Sequence, residues 1–412
     1  MQTVSVQSVE PVAAAPIVNP STPLRRIASI DVFRGFVMLL MMAEVLSFRS
    51  LAREFPDSSF WKFLSLQQSH AAWTWLNLHD LIQPSFTFLV GVVLPFSMAS
   101  RMSKGVTTWS IIRHAIKRSL ILICLGLFLR SLHSEQTNFT FIDTLTQIGL
   151  GYTFLVILSF YSFRVQLSTL VILLVGYWLA FALYPLPGAN FDFAAIGVTP
   201  GWEHNLQGFA AHWNKDTNLA WAFDRWFLNL FPRENPFLRD SGGYSTLSFI
   251  PTLCTMILGL FAGRFLKSTS PEKEKIKYFV MTGLGLMALG FVLHALGINP
   301  IVKRIWTPAW TIFSGGICFL FLAFFYGVID VAQIKRWSFF MMIIGVNSIA
   351  AYCIADGGVF TYISKALYTH LGQTFDIIFG SPYATLVSGG LIIAVGWLIL
   401  YWMYKNKIFI KI

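Results

Sequence analysis

SHAAWTWLNLHDLIQPSFTFLVGVVLPFS, residues 69–97, decides how the chain is read, because its two halves call for different surroundings. From Phe86 onward the run is apolar enough to enter a bilayer, whereas the front carries His70, Asn77, His79, Asp80 and Gln83. A helix starting near Ser69 would bring His70, Trp73, Asn77, Asp80, Pro84 and Thr87 round at steps of three and four, one polar stripe down one face. Such a stripe cannot face lipid, since intramembrane ionisable groups are costly and line cavities or pair inside bundles. The alternative is polar contact between helices with a kink at Pro84.

Composition sets the frame around this stretch. Of 412 residues 55% are hydrophobic and 12% charged, with a mean hydropathy of +0.63, which excludes a soluble globule and indicates an all-α polytopic membrane protein. Runs of membrane-crossing length predict about ten spans, near 32–48, 80–100, 114–131, 143–163, 167–184, 246–264, 278–296, 309–330, 337–356 and 385–404. The first begins too deep for a secretory leader, and residues 1–24 read as a disordered cytoplasmic tail before a transmembrane domain over 25–412. Cys124, Cys254, Cys318 and Cys353 lie in apolar runs without CxxC or Cys/His spacing, so neither a disulfide framework nor a metal site is expected.

The net charge of +11 punctuates the spans and forms no aromatic-interleaved patch, which argues against nucleic acid. An even span count puts both termini on one side, and the loops on that side hold eighteen of the 30 Lys and Arg residues, against eleven spread over longer loops opposite. Positive charge follows the cytoplasm, so both termini are expected there and His70 at the outer mouth of the bundle. The connections 49–79, 185–245 and 357–384 are then external. The longest, between spans five and six, is rich in aromatics and turn formers, as in a small folded cap or a packed lid. No repeat with a period of 20 to 50 residues is visible.

Among eight histidines His70 alone opens the stripe, His79 points off it, and a neutral imidazole can take a proton near pH 7. Glu44, near the outer end of the first span, needs a partner if buried, and His70 is the candidate. Asp31 and Arg34, three apart at the inner end of that span, suit either a structural ion pair or an Arg34 that faces phosphate. Asn347 and Ser348 suit a bond between helices or a cavity wall. Lys303 and Trp306 in NPIVKRIWTPAW read first as interfacial anchors and second as acceptor contacts. No Walker loop, GxSxG or HExxH occurs.

Five stretches, SIDVFRGFVMLLMM, SHAAWTWLNLHDLIQPSFTFLVGVVLPFSMASR, GYSTLSFIPTLCTMILGLFAG, NPIVKRIWTPAW and GVNSIAAY, occur in the order and spacing of the heparan-α-glucosaminide N-acetyltransferase family, which the chain resembles from about Arg25 to the last span. The resemblance implies a ten- or eleven-span acyltransferase that passes acetyl from cytoplasmic acetyl-CoA to an amino sugar on the far side, and the acceptor expected here is an amino sugar or other glycan. It matches the family's active-site histidine to His70 and the following aspartate to Asp80. Val45 stands where family members carry asparagine and Gln147 where they carry arginine, so the acceptor is open.

Acetyl transfer needs a base, an oxyanion donor and a dry acyl path. The residues offered are His70 as base, Glu44 or Asp80 to orient it, Trp73, Asn77 or Asn347 as oxyanion donors, and Arg34, Arg101, Arg113 and Lys117 for the nucleotide phosphates. The expected setting is a bacterial inner membrane, with acetyl-CoA as acyl donor, no metal, the bilayer and a glycan as partners, and a homodimer left open. A permease for a small polar solute and an O-acyltransferase of an exported glycan remain as alternatives.

Overall fold

The computed structural model describes residues 27–188, 190–198 and 201–410. The expected tail over 1–24 lies outside them. Helices build the chain and no strand occurs among the described residues, apart from an isolated bridge between Thr74 and Val302. In order they are α1 (Ala28–Met42), α2 (Phe48–Glu54), α3 (Ser59–Gln67), α4 (Ile82–Met102), α5 (Thr108–Ser131), α6 (Thr144–Ser159), α7 (Phe163–Leu183) and α8 (Leu219–Phe227). There follow α9 (Phe249–Lys267), α10 (Glu272–Ala295), α11 (Pro308–Phe325), α12 (Phe339–Val346), α13 (Ser348–Asp356), α14 (Val359–Phe379) and α15 (Ser381–Lys405).

Six helical stretches are long and apolar enough to cross a membrane: Leu78–Met102, Phe163–Leu183, Thr246–Lys267, Glu272–Ala295, Pro308–Val331 and Tyr383–Lys405. A seventh counts if α12 and α13, bent by 74° at Asn347, are one broken span. The protein is an integral membrane protein on this ground. Each of the ten expected spans overlaps a helix, but α1 and α6 have only 15 and 16 residues. In α5 four basic residues, Arg113, Lys117, Arg118 and Arg130, interrupt the apolar run.

The stretch 357–384, expected to be a loop, contains the 21-residue α14. Phe360, Ile363, Leu367 and Phe375 return at helical spacing and pack inward, while Lys365, His370 and Asp376 break the hydrophobic run that would have marked them. The expected cap is a folded layer around Trp213, which is fully buried beside Trp73, Tyr177 and Phe181 and leads into α8.

Close backbone approach positions the centre of the bundle. Gly91 on α4 lies against the carbonyl of Met256, and Gly259 and Gly263 on α9 against those of Phe88 and Val92, so a Cβ at any of the three would overlap its neighbour. Gly35 on α1 and Gly345 on α12 meet in the same way, over the carbonyls of Met341 and Asp31. Small residues let helices touch where lipid supplies no hydrophobic drive for association. In consequence α4, which follows directly on the polar groups of the opening stretch, is held in place. Gly259→Val should lower thermal stability in detergent, by the roughly 1–3 kcal/mol that overpacking costs. Gly285→Ala on α10, where an added Cβ meets nothing, should leave it close to wild type. Equal melting of the two variants would contradict this packing.

Candidate active site

Residues 69–77 are not helical, which corrects the expected stripe. The chain leaves α3, crosses in extended and bent segments, and enters α4 through a single 3-10 turn at Leu78–Leu81. Trp75 has a left-handed backbone (φ 70°), and its N–H donates to the Ile301 carbonyl at 3.0 Å beside the Thr74–Val302 bridge. Trp73 is buried and donates through Nε1 to the Trp213 carbonyl at 3.0 Å, tying the segment to the cap. Asn77 holds the start of the segment through Nδ2 to the Ser69 carbonyl at 3.1 Å. Both side chains are therefore committed to the loop.

The turn aims Asp80 inward, where it is 1% exposed. Its Oδ2 accepts the backbone N–H of Ala71 at 3.0 Å and of Asn77 at 2.9 Å. Its Oδ1 accepts from His70 Nδ1 at 2.8 Å and from Lys303 Nζ at 3.1 Å. A buried carboxylate is tolerable only with such partners. Lys303 comes from the loop that ends at Thr307, which caps α11, and its Nζ also lies 3.1 Å from His70 Nδ1. Since Nδ1–H is given to Asp80, the free lone pair of a neutral His70 sits on Nε2. Burial, and to a smaller extent the Lys303 ammonium, holds the His70 imidazole below its ordinary pKa, against the opposite pull of Asp80. Lys303 is likewise lowered by burial.

His79, off the stripe in a helical reading, belongs to this place. Its ring centroid is 4.8 Å from that of His70, and its Nε2 lies 2.9 Å from Glu44 Oε1. The partner of Glu44 is thus His79 and not the expected His70, because α1 ends at Met42 and a short 3-10 turn carries Glu44 under the first turn of α4. Tyr244 stands edge-on to His70 at 6.2 Å, its hydroxyl pushed up to about 12 by burial. Arg304 donates to the carbonyls of Gly242 at 2.7 Å and Ala71 at 3.1 Å, joining cap and loop. Trp306 is buried and donates to Thr255 Oγ1 at 3.2 Å, away from the imidazoles.

An open cavity of about 770 Å³ is lined by His70, His79, Glu44, Gln68, Arg49 and Lys62 among others. A second cavity, of about 540 Å³, penetrates the bundle from the end where α1 begins. Arg34, Arg101, Arg118 and Asp31 line it together with Met38, Phe86, Leu89, Leu122, Ser348 and Tyr352. Arg34 lies 3.4 Å from Asp31, and Arg118 lies over the Tyr152 ring and donates to its hydroxyl at 3.1 Å. Arg113 and Lys117 are exposed and outside this wall. Asn347 accepts from the Ile410 N–H and donates to the Ile408 carbonyl, anchoring the end of the chain, so it supplies no donor near His70. The two cavities share no lining residue, and along α1 the fully buried Met42 separates Met38 from Glu44.

No protein-family model matches the chain. It is 24% identical over 369 residues to the human (Homo sapiens) heparan-alpha-glucosaminide N-acetyltransferase, an alignment covering 79% of this chain and 52% of that protein. To the mouse (Mus musculus) protein of the same name it is 22% identical over 367 residues, covering 79% and 53%. The chain is thus similar to these N-acetyltransferases over most of its own length. It spans about half the length of the curated relatives that it matches.

Gln147 is buried, and its amide donates to the carbonyls of Phe141 at 2.6 Å and Thr246 at 3.2 Å. His79 and Tyr244 escape a reading of the sequence for a reason: a helical template puts His79 on the wrong face, and Tyr244 reaches the site only through the cap. Removing the ammonium beside His70 favours its imidazolium, so Lys303→Met should raise the His70 pKa. The pH dependence of His70 modification by diethylpyrocarbonate measures it. A midpoint unmoved or lowered in the variant would contradict this coupling between ammonium and imidazole.

Proposed function

We propose that the protein transfers an acetyl group from cytoplasmic acetyl-CoA to an amino sugar or other glycan acceptor on the extracytoplasmic side, with His70 as general base. The observation that carries this reading is His70 in the wall of an open cavity, bound from behind by the buried Asp80, at the position the family resemblance matches to its active-site histidine. The relatives are named as N-acetyltransferases, which supports the reaction class.

In this reading His70 Nε2 takes the proton of the acceptor's amine or hydroxyl as that atom attacks the thioester carbonyl. Asp80 holds the ring in the tautomer that leaves Nε2 free and stabilises the imidazolium that forms. The inner cavity suits the donor: Arg34, Arg101 and Arg118 meet phosphates, Asp31 keeps Arg34 in place, and an apolar wall follows for the pantetheine arm. The route from there to His70 runs past Met42. The denser positive charge in the loops on the side of the termini supports a cytoplasmic inner end, and a bacterial inner membrane is the setting we assign.

Cavities at the two ends of a bundle also suit a permease, which predicts solute flux without an acyl donor. Purified protein with radiolabelled acetyl-CoA and a panel of amino sugars and glycans separates the readings. Labelled acceptor should form, and His70→Ala should cut turnover by about 10²- to 10⁴-fold. Wild-type turnover in the variant would remove the base assignment. Donor-independent flux in proteoliposomes, without acetyl transfer, would replace the enzyme reading.

A further inference from the structure

Acyl transfer from a thioester takes a proton from the acceptor and gives one to the departing sulfur, and either one imidazole carries it in turn or two groups divide the work. The acceptor loses a proton as its bond to the acyl carbon forms, and the departing sulfur gains one as the C–S bond breaks. Two imidazoles line the same cavity with ring centroids 4.8 Å apart, each with a carboxylate of its own. His70 is bound to Asp80 through Nδ1, and His79 to Glu44 through Nε2, so the two rings are tethered by opposite nitrogens.

Their placement differs as well. The His70 side chain is 39% exposed and meets the cavity from the loop, whereas His79 is 9% exposed, in the 3-10 turn that leads into α4 and next to the end of α1. His79 therefore sits on the side facing the bundle interior, from which a donor in the inner cavity would arrive, and His70 on the side open to an acceptor. Around His79 stand Glu44 after α1, His70 in the loop, Asp80 on the same turn, and Lys303 behind His70. Arg49 of α2 and Lys62 of α3 line the cavity beyond.

We infer that His79, held by Glu44, is the general acid that protonates the leaving thiolate, a second catalytic residue beside the base. This rests on the acetyltransferase reading of the same site. An anionic partner at 2.9 Å compensates the charge of an imidazolium, whose Nδ1–H is then left to donate. In the step, the acceptor's proton passes to His70 Nε2 and its lone pair forms the bond to the acyl carbon. The C–S electron pair goes to sulfur, and His79 Nδ1 gives sulfur a proton. His70 ends with one proton more and His79 with one fewer, and a water in the shared cavity returns it. The net change is acetylated acceptor and free thiol.

The leaving group distinguishes this from a structural role. Full-length protein is assayed with acetyl-CoA and with S-(4-nitrophenyl) thioacetate, whose thiolate departs without a proton. His79→Asn should slow acetyl-CoA turnover by about 10²-fold or more while keeping nitrophenyl thioacetate turnover within a few-fold of wild type. Glu44→Gln, which leaves the imidazole in place, should show the same donor selectivity at smaller size. Equal losses with both donors in the two variants, or no loss with either, overturn the assignment. His70→Ala should lose both donors alike. If it keeps both, the base reading fails first, and this inference fails with it.

Discussion

The Asp80 carboxylate is the constraint on which the rest of the site depends. At 1% exposure an unpartnered anion would be untenable, and this one gathers two backbone N–H groups, an imidazole and an ammonium. Those partners come from two separate parts of the chain, the irregular loop after α3 and the loop before α11, and meet at the 3-10 turn that leads into α4. Satisfying one buried charge thus folds the loop back, orients His70, and brings Lys303 across 223 residues of sequence. Each effect follows from the same four bonds.

That clamp works only because its base does not move. Through Gly91, Gly259 and Gly263, α4 is locked to α9, and α1 meets α12 through Gly35 and Gly345. Around them α7, α10 and α15 offer mostly exposed apolar surface, as helices facing lipid must. The bundle therefore has a close-packed centre that fixes side-chain geometry and a lipid-facing rim that asks only for hydrophobicity. The imidazoles stand at the boundary, where the packed centre meets an open cavity.

The membrane class and the place of most helices are legible in the sequence, since runs such as Phe163–Leu183 and Pro308–Val331 have no soluble alternative. The site is legible only in part. His70 and Asp80 stand out on a helical periodicity that does not exist there, and they meet because a loop doubles back. Periodicity has no means of seeing such a fold. The same template discards His79 and leaves Glu44 with the wrong partner. In α14 the opposite error occurs: an amphipathic helix passes for a loop because its polar face hides its apolar one. Arg113 and Lys117 show a third limit, since a basic run on a helix does not tell which members face inward. On α5 it is Arg118, not offered for the phosphates, that lines the second cavity, alongside Arg101 of α4.

If Asp80 serves acetyl transfer by holding the His70 imidazole, the two side chains act as one unit and their substitutions cannot be independent. A double-mutant cycle on kcat/KM, comparing His70→Ala, Asp80→Asn and the pair, measures this coupling. The double variant should be no slower than His70→Ala alone, because Asp80 acts through the imidazole. Losses that multiply, each substitution costing as much with the other present as without it, would contradict the coupled pair.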